Sequence, residues 1–224
     1  VENTEGAVIS TYNELVVYRL PRPRYWGKDA PESPFGVHTN STTRHNLLAK
    51  AVGANWTRLH DAGLQYLGWY HLEREKGKWT FYDKEIKRYR RDHVLVLGEL
   101  GTAPEWASYY PGKPHSSYFD RFYQPRRMED YANYVRTVAQ RYRGIITAYD
   151  IWNEPWIHAW WGVGYDESKP DQAGYITSEE PQKDFVRLMK TAFEAAKAVD
   201  PDITVLGVNS TSSGPGSNNL GGAE

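Results

Sequence analysis

Between Phe35 and Val208 short apolar runs alternate with longer amphipathic stretches, and this alternation restricts the chain's fold more than any other feature. Phe35 to His38, Trp56 to Leu59, Val94 to Leu97, Ala148 to Trp152 and Ile203 to Val208 read as five strands. The run Val94-Leu95-Val96-Leu97 is apolar at every position, as expected of a strand covered on both faces of a parallel sheet; a half-exposed strand would alternate. Between the strands, Thr43 to Val52 reads as a helix stopped by Gly53. Asp83 caps a polar helix to Arg91. Met128 to Tyr142 places Met128, Tyr131, Val135, Val138 and Tyr142 on one helical face. Thr177 and Glu180 form a capping-box pair opening a helix that turns Phe185, Leu188, Ala192, Ala195 and Val199 inward. The stretch after strand two, through Trp69, Tyr70 and Trp79, reads as a long loop.

A β-α-β-α order of this kind demands a mostly parallel sheet with right-handed crossovers. Two architectures satisfy it: a five-stranded doubly wound sheet, or part of a (β/α)8 barrel. Strand one is followed by His38-Thr39-Asn40-Ser41 rather than a glycine-rich phosphate loop, which weighs against the nucleotide-binding form. Eight βα units of the length found here would need roughly 300 residues or more, within the range of barrels. The expected fold class is therefore α/β, a (β/α)8 TIM barrel incomplete in this chain at about strands 1–5. Residues 1–22 hold two β-prone runs that suit a hairpin or the tail of a β-sandwich domain; 23–34 is a Pro-rich linker; 35–224 is the first half of the barrel, with a Gly-, Ser- and Asn-rich tail from Ser212.

The 224 residues carry a net charge of −1 and no cysteine. A balanced charge offers no basic field for a phosphate backbone, so nucleic acid is a poor partner. No run of 18 apolar residues is available to span a bilayer as a helix, and there are neither disulfides nor thiolate ligands. The chain is rich in rings, with 9 Trp and 17 Tyr, whose flat faces and polar tips suit stacking on sugars or peptides as well as core packing. Seven of the nine Trp (Trp56, Trp69, Trp106, Trp152, Trp156, Trp160, Trp161) lie in or after proposed strands two to four.

The most informative stretch is Tyr149-Asp150-Ile151-Trp152-Asn153-Glu154-Pro155-Trp156. It sets a carboxylate at the C-terminal end of a parallel strand, where such sheets place their ligand sites, and Pro155 stops further pairing. Strand alternation would aim Asp150, Trp152 and Glu154 towards one face.

Trp152-Asn153-Glu154-Pro155 resembles the Asn-Glu signature ending strand four in the clan of retaining (β/α)8 glycoside hydrolases, and the β-xylosidase/α-iduronidase-like group is closest. Ser33-Pro34-Phe35-Gly36-Val37 resembles that group's entry into strand one, and Trp56-Thr57-Arg58 its strand-two motif. Glu73 to Asp83, containing Glu75-Lys76-Gly77-Lys78-Trp79, resembles its loop after strand two, and Gly101-Thr102-Ala103-Pro104-Glu105-Trp106-Ala107-Ser108 its Pro-x-Trp-Ala loop after strand three. The similarity spans about residues 33–210.

The resemblance implies a retaining double displacement on an oligo- or polysaccharide, needing a protonated carboxyl on the leaving oxygen and a second carboxylate about 5–5.5 Å away. Glu154 would be the general acid/base, Asn153 would bond the sugar 2-hydroxyl, and Arg58 would neighbour the nucleophile. His38 could bond a sugar hydroxyl, with a rim or core histidine as the alternative; Trp106, Trp160 and Trp161 are candidate sugar platforms, with loop packing the alternative for each. The nucleophile belongs to a strand seven that this sequence does not contain, so the remainder of the barrel would come from a longer product or a second chain. Asp61, Glu99 and Glu105 lie near strand ends, but no motif assigns them that role. No cofactor is expected. A metal site is disfavoured because His38-Thr39-Asn40 replaces the His-x-His of metal-dependent barrels. A non-catalytic carbohydrate-binding or scaffolding barrel is the rival reading.

Overall fold

A computed structural model describes residues 23–108, 122–155, 160–161, 164–165, 175–176 and 181–207. The elements run β1 (Gly36–Val37), α1 (Thr43–Ala51), β2 (Trp56–Leu59), α2 (Leu64–Leu67), α3 (Trp69–Leu72), α4 (Asp83–Arg91), β3 (Leu95–Leu100), α5 (Met128–Arg141), β4 (Ala148–Ile151), β5 (Gly164–Tyr165), β6 (Tyr175–Ile176), α6 (Pro181–Val199) and β7 (Thr204–Leu206). The expected hairpin in 1–22 and the Thr177–Glu180 capping box lie outside the described residues.

Five strands form one parallel sheet in the order β1-β2-β3-β4-β7, while β5 and β6 make a small antiparallel pair. Each new strand of the main sheet is added on the same side as the last. With right-handed crossovers throughout, that order puts every connecting helix on one face; a doubly wound sheet would reverse direction partway. The sheet is a wall of a (β/α)8 barrel, with β1 and β7 as its two edges.

Three sequence expectations are corrected. Strand β3 does not stop at Leu97 but continues through Gly98 and Glu99 to Leu100. The glycine fits there because a Cβ would lie 2.7 Å from Leu67 and 2.8 Å from Tyr149. The loop after β2 holds two single-turn helices, α2 and α3, each too short to carry a readable periodicity. Asp150, Trp152 and Glu154 do not share a face by simple alternation, because the strand ends at Ile151 and Trp152 takes a positive φ of 62°.

The core lies between sheet and helices. Leu59, Val96, Leu100, Tyr149 and Ile151 pack against Tyr131, Tyr134, Val135 and Val138 of α5 and Leu188 and Ala192 of α6. Burying a side chain of this size is worth about 1.5–3 kcal/mol. Two buried phenols of α5 find backbone acceptors: Tyr131 donates to the Leu100 carbonyl and Tyr134 to that of Leu67, both at 2.7 Å. The stretch 23–34 packs onto the helical layer, with the Lys50 ammonium donating to the Lys28 carbonyl at 3.0 Å and Asp29 paired with Arg90 and His93. On the opposite face of the sheet Trp56, Arg58, Leu95 and Leu97 are only half-buried, and Thr204 and Leu206 are exposed.

Candidate active site

Register brings the charged residues together. Leu59 pairs with Gly98, and Glu99 with Asp150, so the ends of β2, β3 and β4 lie side by side, with His60 following Leu59 towards the level of Glu99 and Asp150 and Arg58 one row below, beside Leu97. Arg58 is the hub. Its Nε donates to Asp150 Oδ2 at 2.7 Å, one terminal nitrogen donates to Asn153 Oδ1 at 3.1 Å, and the other lies 3.5 Å from Glu99 Oε2 and 3.4 Å from the Trp152 carbonyl. A planar guanidinium can serve several acceptors at once because its donors are fixed in a fork. The Asn153 amide nitrogen in turn donates to Glu154 Oε2 at 3.3 Å.

A second branch leaves Glu99. Its Oε2 stands 2.6 Å from His60 Nδ1. The contact is short but its hydrogen-bonding angle is poor. His60 Nε2 lies 3.3 Å from Asp61 Oδ1, and the other Asp61 oxygen lies 3.3 Å from His38 Nδ1. The chain of contacts thus crosses four strand ends, from His38 after β1 to Glu154 after β4.

Burial and charge compete at His60. Desolvation pulls its pKa down, but the hydrogen bond and charge of Glu99, helped by Asp61 and opposed by Arg58, raise it above 6.5 on balance. Glu99 is fully buried and Asp150 nearly so. The field of these carboxylates reaches α5, where burial first, then Glu99 and Asp150, hold the Tyr131 phenol well above the usual range.

The backbone at the end of β4 is strained. Trp152 and Glu154 both lie in the left-handed region, at φ 62° and 43°, and Thr102 after β3 does so at 61°. Such conformations cost non-glycine residues of order 1–3 kcal/mol and persist where the surroundings hold them. Here Trp152 turns into an aromatic cluster, edge-on to Trp161 at 5.2 Å, with its indole N–H on the Trp160 carbonyl. Asn153 is left facing Arg58.

The structure brings Arg58, Asn153 and Glu154 into one set of contacts and links His38 to it through Asp61 and His60. The three candidate platforms each make aromatic contacts within the protein. Trp161 is buried between Trp152 and Phe185. Trp160 packs edge-on to Phe122 at 4.7 Å. Trp106 packs edge-on to Trp69, donates to the Glu73 carbonyl at 2.9 Å and lies under the Lys76 ammonium. His60 and Glu99 are the residues that sequence reasoning failed to join to the site. A charged Glu99 within an otherwise apolar strand was the available signal.

The loop from Glu73 to Trp79 is a structural feature: the buried Glu73 carboxylate accepts from Trp69 Nε1 and from the Gly77 amide, both at 2.7 Å. Among the described residues no group of three or more His, Asp or Glu is placed to hold a metal ion, and no helix is long and apolar enough to cross a membrane.

No family model and no curated protein matches this sequence. Solved structures of glycoside hydrolases are among those it resembles. One is a family 39 glycoside hydrolase from the gut symbiont Bacteroides cellulosilyticus WH2, with 21% identity, a TM-score of 0.46, and coverage of 75% of this chain and 28% of that one. A psychrophilic family 10 endo-β-1,4-xylanase matches with 17% identity, a TM-score of 0.48, and coverage of 76% and 52%. Xylanase 10B from Thermotoga maritima matches with 15% identity, a TM-score of 0.48, and coverage of 77% and 48%. The chain spans about half, or less, of the length of the solved structures it matches.

Proposed function

We propose that this chain supplies strands one to five of a retaining glycoside hydrolase that cleaves O-glycosidic bonds in an oligo- or polysaccharide, with Glu154 as general acid/base. The observation that carries the reading is the contact series from Arg58 to Asn153 to Glu154 across the C-terminal ends of β2 and β4. A glycosidic oxygen leaves only if a carboxyl delivers a proton to it, and that carboxyl must be held in place as the bond breaks. Asn153 is fixed by Arg58 and donates to Glu154 Oε2, which orients the carboxyl. Arg58 and Asn153 are substrate-side donors in this reading, and His38 is a rim contact. The attacking carboxylate comes from a seventh strand in the rest of the barrel, with residues 1–22 belonging to a separate β-domain.

The test is turnover of unactivated oligosaccharides and polymeric xylan, assayed on the chain and on any longer product that carries it. Glu154→Gln is expected to lose about 10²–10⁴-fold in rate, the usual contribution of a positioned proton donor. Undiminished hydrolysis by Glu154→Gln would overturn the assignment. Saturable oligosaccharide binding without turnover in the wild type would favour the non-catalytic barrel instead.

A further inference from the structure

We propose that Glu99 is the positioning residue of this site: one buried carboxylate that holds both donors of strand β2, Arg58 and His60, and through Arg58 keeps Asn153 against Glu154. The inference rests on the glycosidase reading for its purpose, but its geometry stands independently of turnover.

Three features of the molecule point to Glu99. First, it is the carboxylate that touches both donors. Arg58 lies in β2 and His60 just after it, and Glu99 Oε2 lies 3.5 Å from the first and 2.6 Å from the second. Asp150 holds the Arg58 Nε but has no contact with His60. Second, the site is built around it. Gly101 gives the Glu99 carboxylate its room, because a Cβ at that position would sit 2.9 Å from Glu99 Oε1 and 3.4 Å from the Trp152 Cα. Third, Glu99 is fully buried, a position that is costly for a carboxylate unless cationic donors lie against it, and Arg58 and His60 are the two that do. The groups facing His60 are Glu99 from β3, Arg58 from β2, Asp61 beside it and the His38 ring, 6.1 Å away and edge-on. Among these Glu99 is the buried anion; Asp61 is exposed to water, which screens it.

Removing the charge while keeping the shape, in Glu99→Gln, should therefore release His60 and loosen Arg58. Displacing the carboxylate while keeping its charge, in Gly101→Ala, should do the same to a smaller extent. Neither variant touches Glu154.

The experiment is an NMR titration of the 224-residue chain, with the His60 ring signals assigned by their loss in His60→Gln. In the wild type the His60 midpoint is expected above that of an ordinary imidazole, and the Glu99 side-chain carboxyl carbon is expected to inflect at the same pH. Glu99→Gln should lower the midpoint by about one unit or more, a ten-fold drop in proton affinity. Gly101→Ala should lower it by less, and Asp61→Asn by less than Glu99→Gln. A midpoint in Glu99→Gln within about 0.3 of a unit of the wild type, or a larger fall in Asp61→Asn, would overturn the proposal. If Glu99→Gln does not fold, the wild-type carboxyl signal decides alone: no inflection at the His60 midpoint overturns it. Because the titration reads no turnover, failure of the glycosidase reading leaves these midpoints in place. Failure of the Glu99 proposal, conversely, leaves wild-type hydrolysis in place.

Discussion

Residues one apart along β2, β3 and β4 fall on opposite faces of the sheet and are buried by opposite chemistry. On the helix side Leu59, Val96, Leu100, Tyr149 and Ile151 meet a continuous apolar layer. On the other side Arg58, His60, Glu99 and Asp150 meet one another. The apolar face is held by many small contacts that tolerate the loss of any one with a graded cost. The charged face is a closed set in which each group is neutralised by its neighbours, so that removing one strands the rest. The same strands therefore serve as a scaffold on one side and a site on the other, and the two sides should break differently.

The largest expected effect is on the charged face. Arg58→Met would leave Glu99 and Asp150 buried in adjacent register with no guanidinium between them, at a cost of about 3–5 kcal/mol. Urea unfolding would read this as a lower midpoint with an unchanged slope. Adding Asp150→Asn to Arg58→Met should recover part of the loss, because the second change removes a charge that the first exposed. Additive costs for the pair would mean the cluster is not closed, and the contrast between the faces would fail.

On the apolar face Gly98→Ala is expected to cost less, about 1–3 kcal/mol, since the new methyl meets Leu67 and Tyr149 and the packed layer must shift to admit it. Both contacts are closer than side chains tolerate, so the fully buried Leu67 and Tyr149 must move, which puts the penalty at the upper end of that range. An unchanged thermal midpoint would mean that the sheet and α2 are less tightly apposed than their distances imply.

Much of the scaffold was legible in the sequence, since β2 and α4 stand at the expected Trp56–Leu59 and Asp83–Arg91. The sequential parallel order followed from the alternation of elements. Strand β3 was read three residues short because Gly98-Glu99 interrupts the apolar run, and the interruption is where the strand leaves the core and enters the site. At the candidate site, the motifs singled out Arg58, Asn153 and Glu154, and strand alternation grouped Asp150 with Glu154. His60 and Glu99 were not joined to them, because their meeting depends on the pairing of Leu59 with Gly98 and of Glu99 with Asp150. Register of that kind is set by three-dimensional packing and is not written in any local pattern. The Trp residues could not be assigned for a different reason: a ring's composition is the same whether it covers a sugar or fills a core, and Trp161 is buried.

The smallest expected effect sharpens the comparison through pH. Folding raises the His60 pKa, because the hydrogen bond and charge of Glu99 outweigh the burial that pulls it down. A group that binds its proton more tightly when folded contributes stability that is fully present below its unfolded value of 6.5 and is lost as pH rises through the folded value. Between pH 6.5 and that folded value the urea midpoint should therefore decline, with a slope worth a fraction of one proton, and His60→Gln should flatten it. High salt discriminates further. An exposed pair such as Lys76 with Asp130 is screened at about 1 M salt, whereas the slope from His60 should survive because Glu99 is out of reach of solvent ions. Equal slopes in the wild type and His60→Gln would mean that the charged face titrates as ordinary surface does, and that its burial is not what distinguishes it from the edges of the sheet.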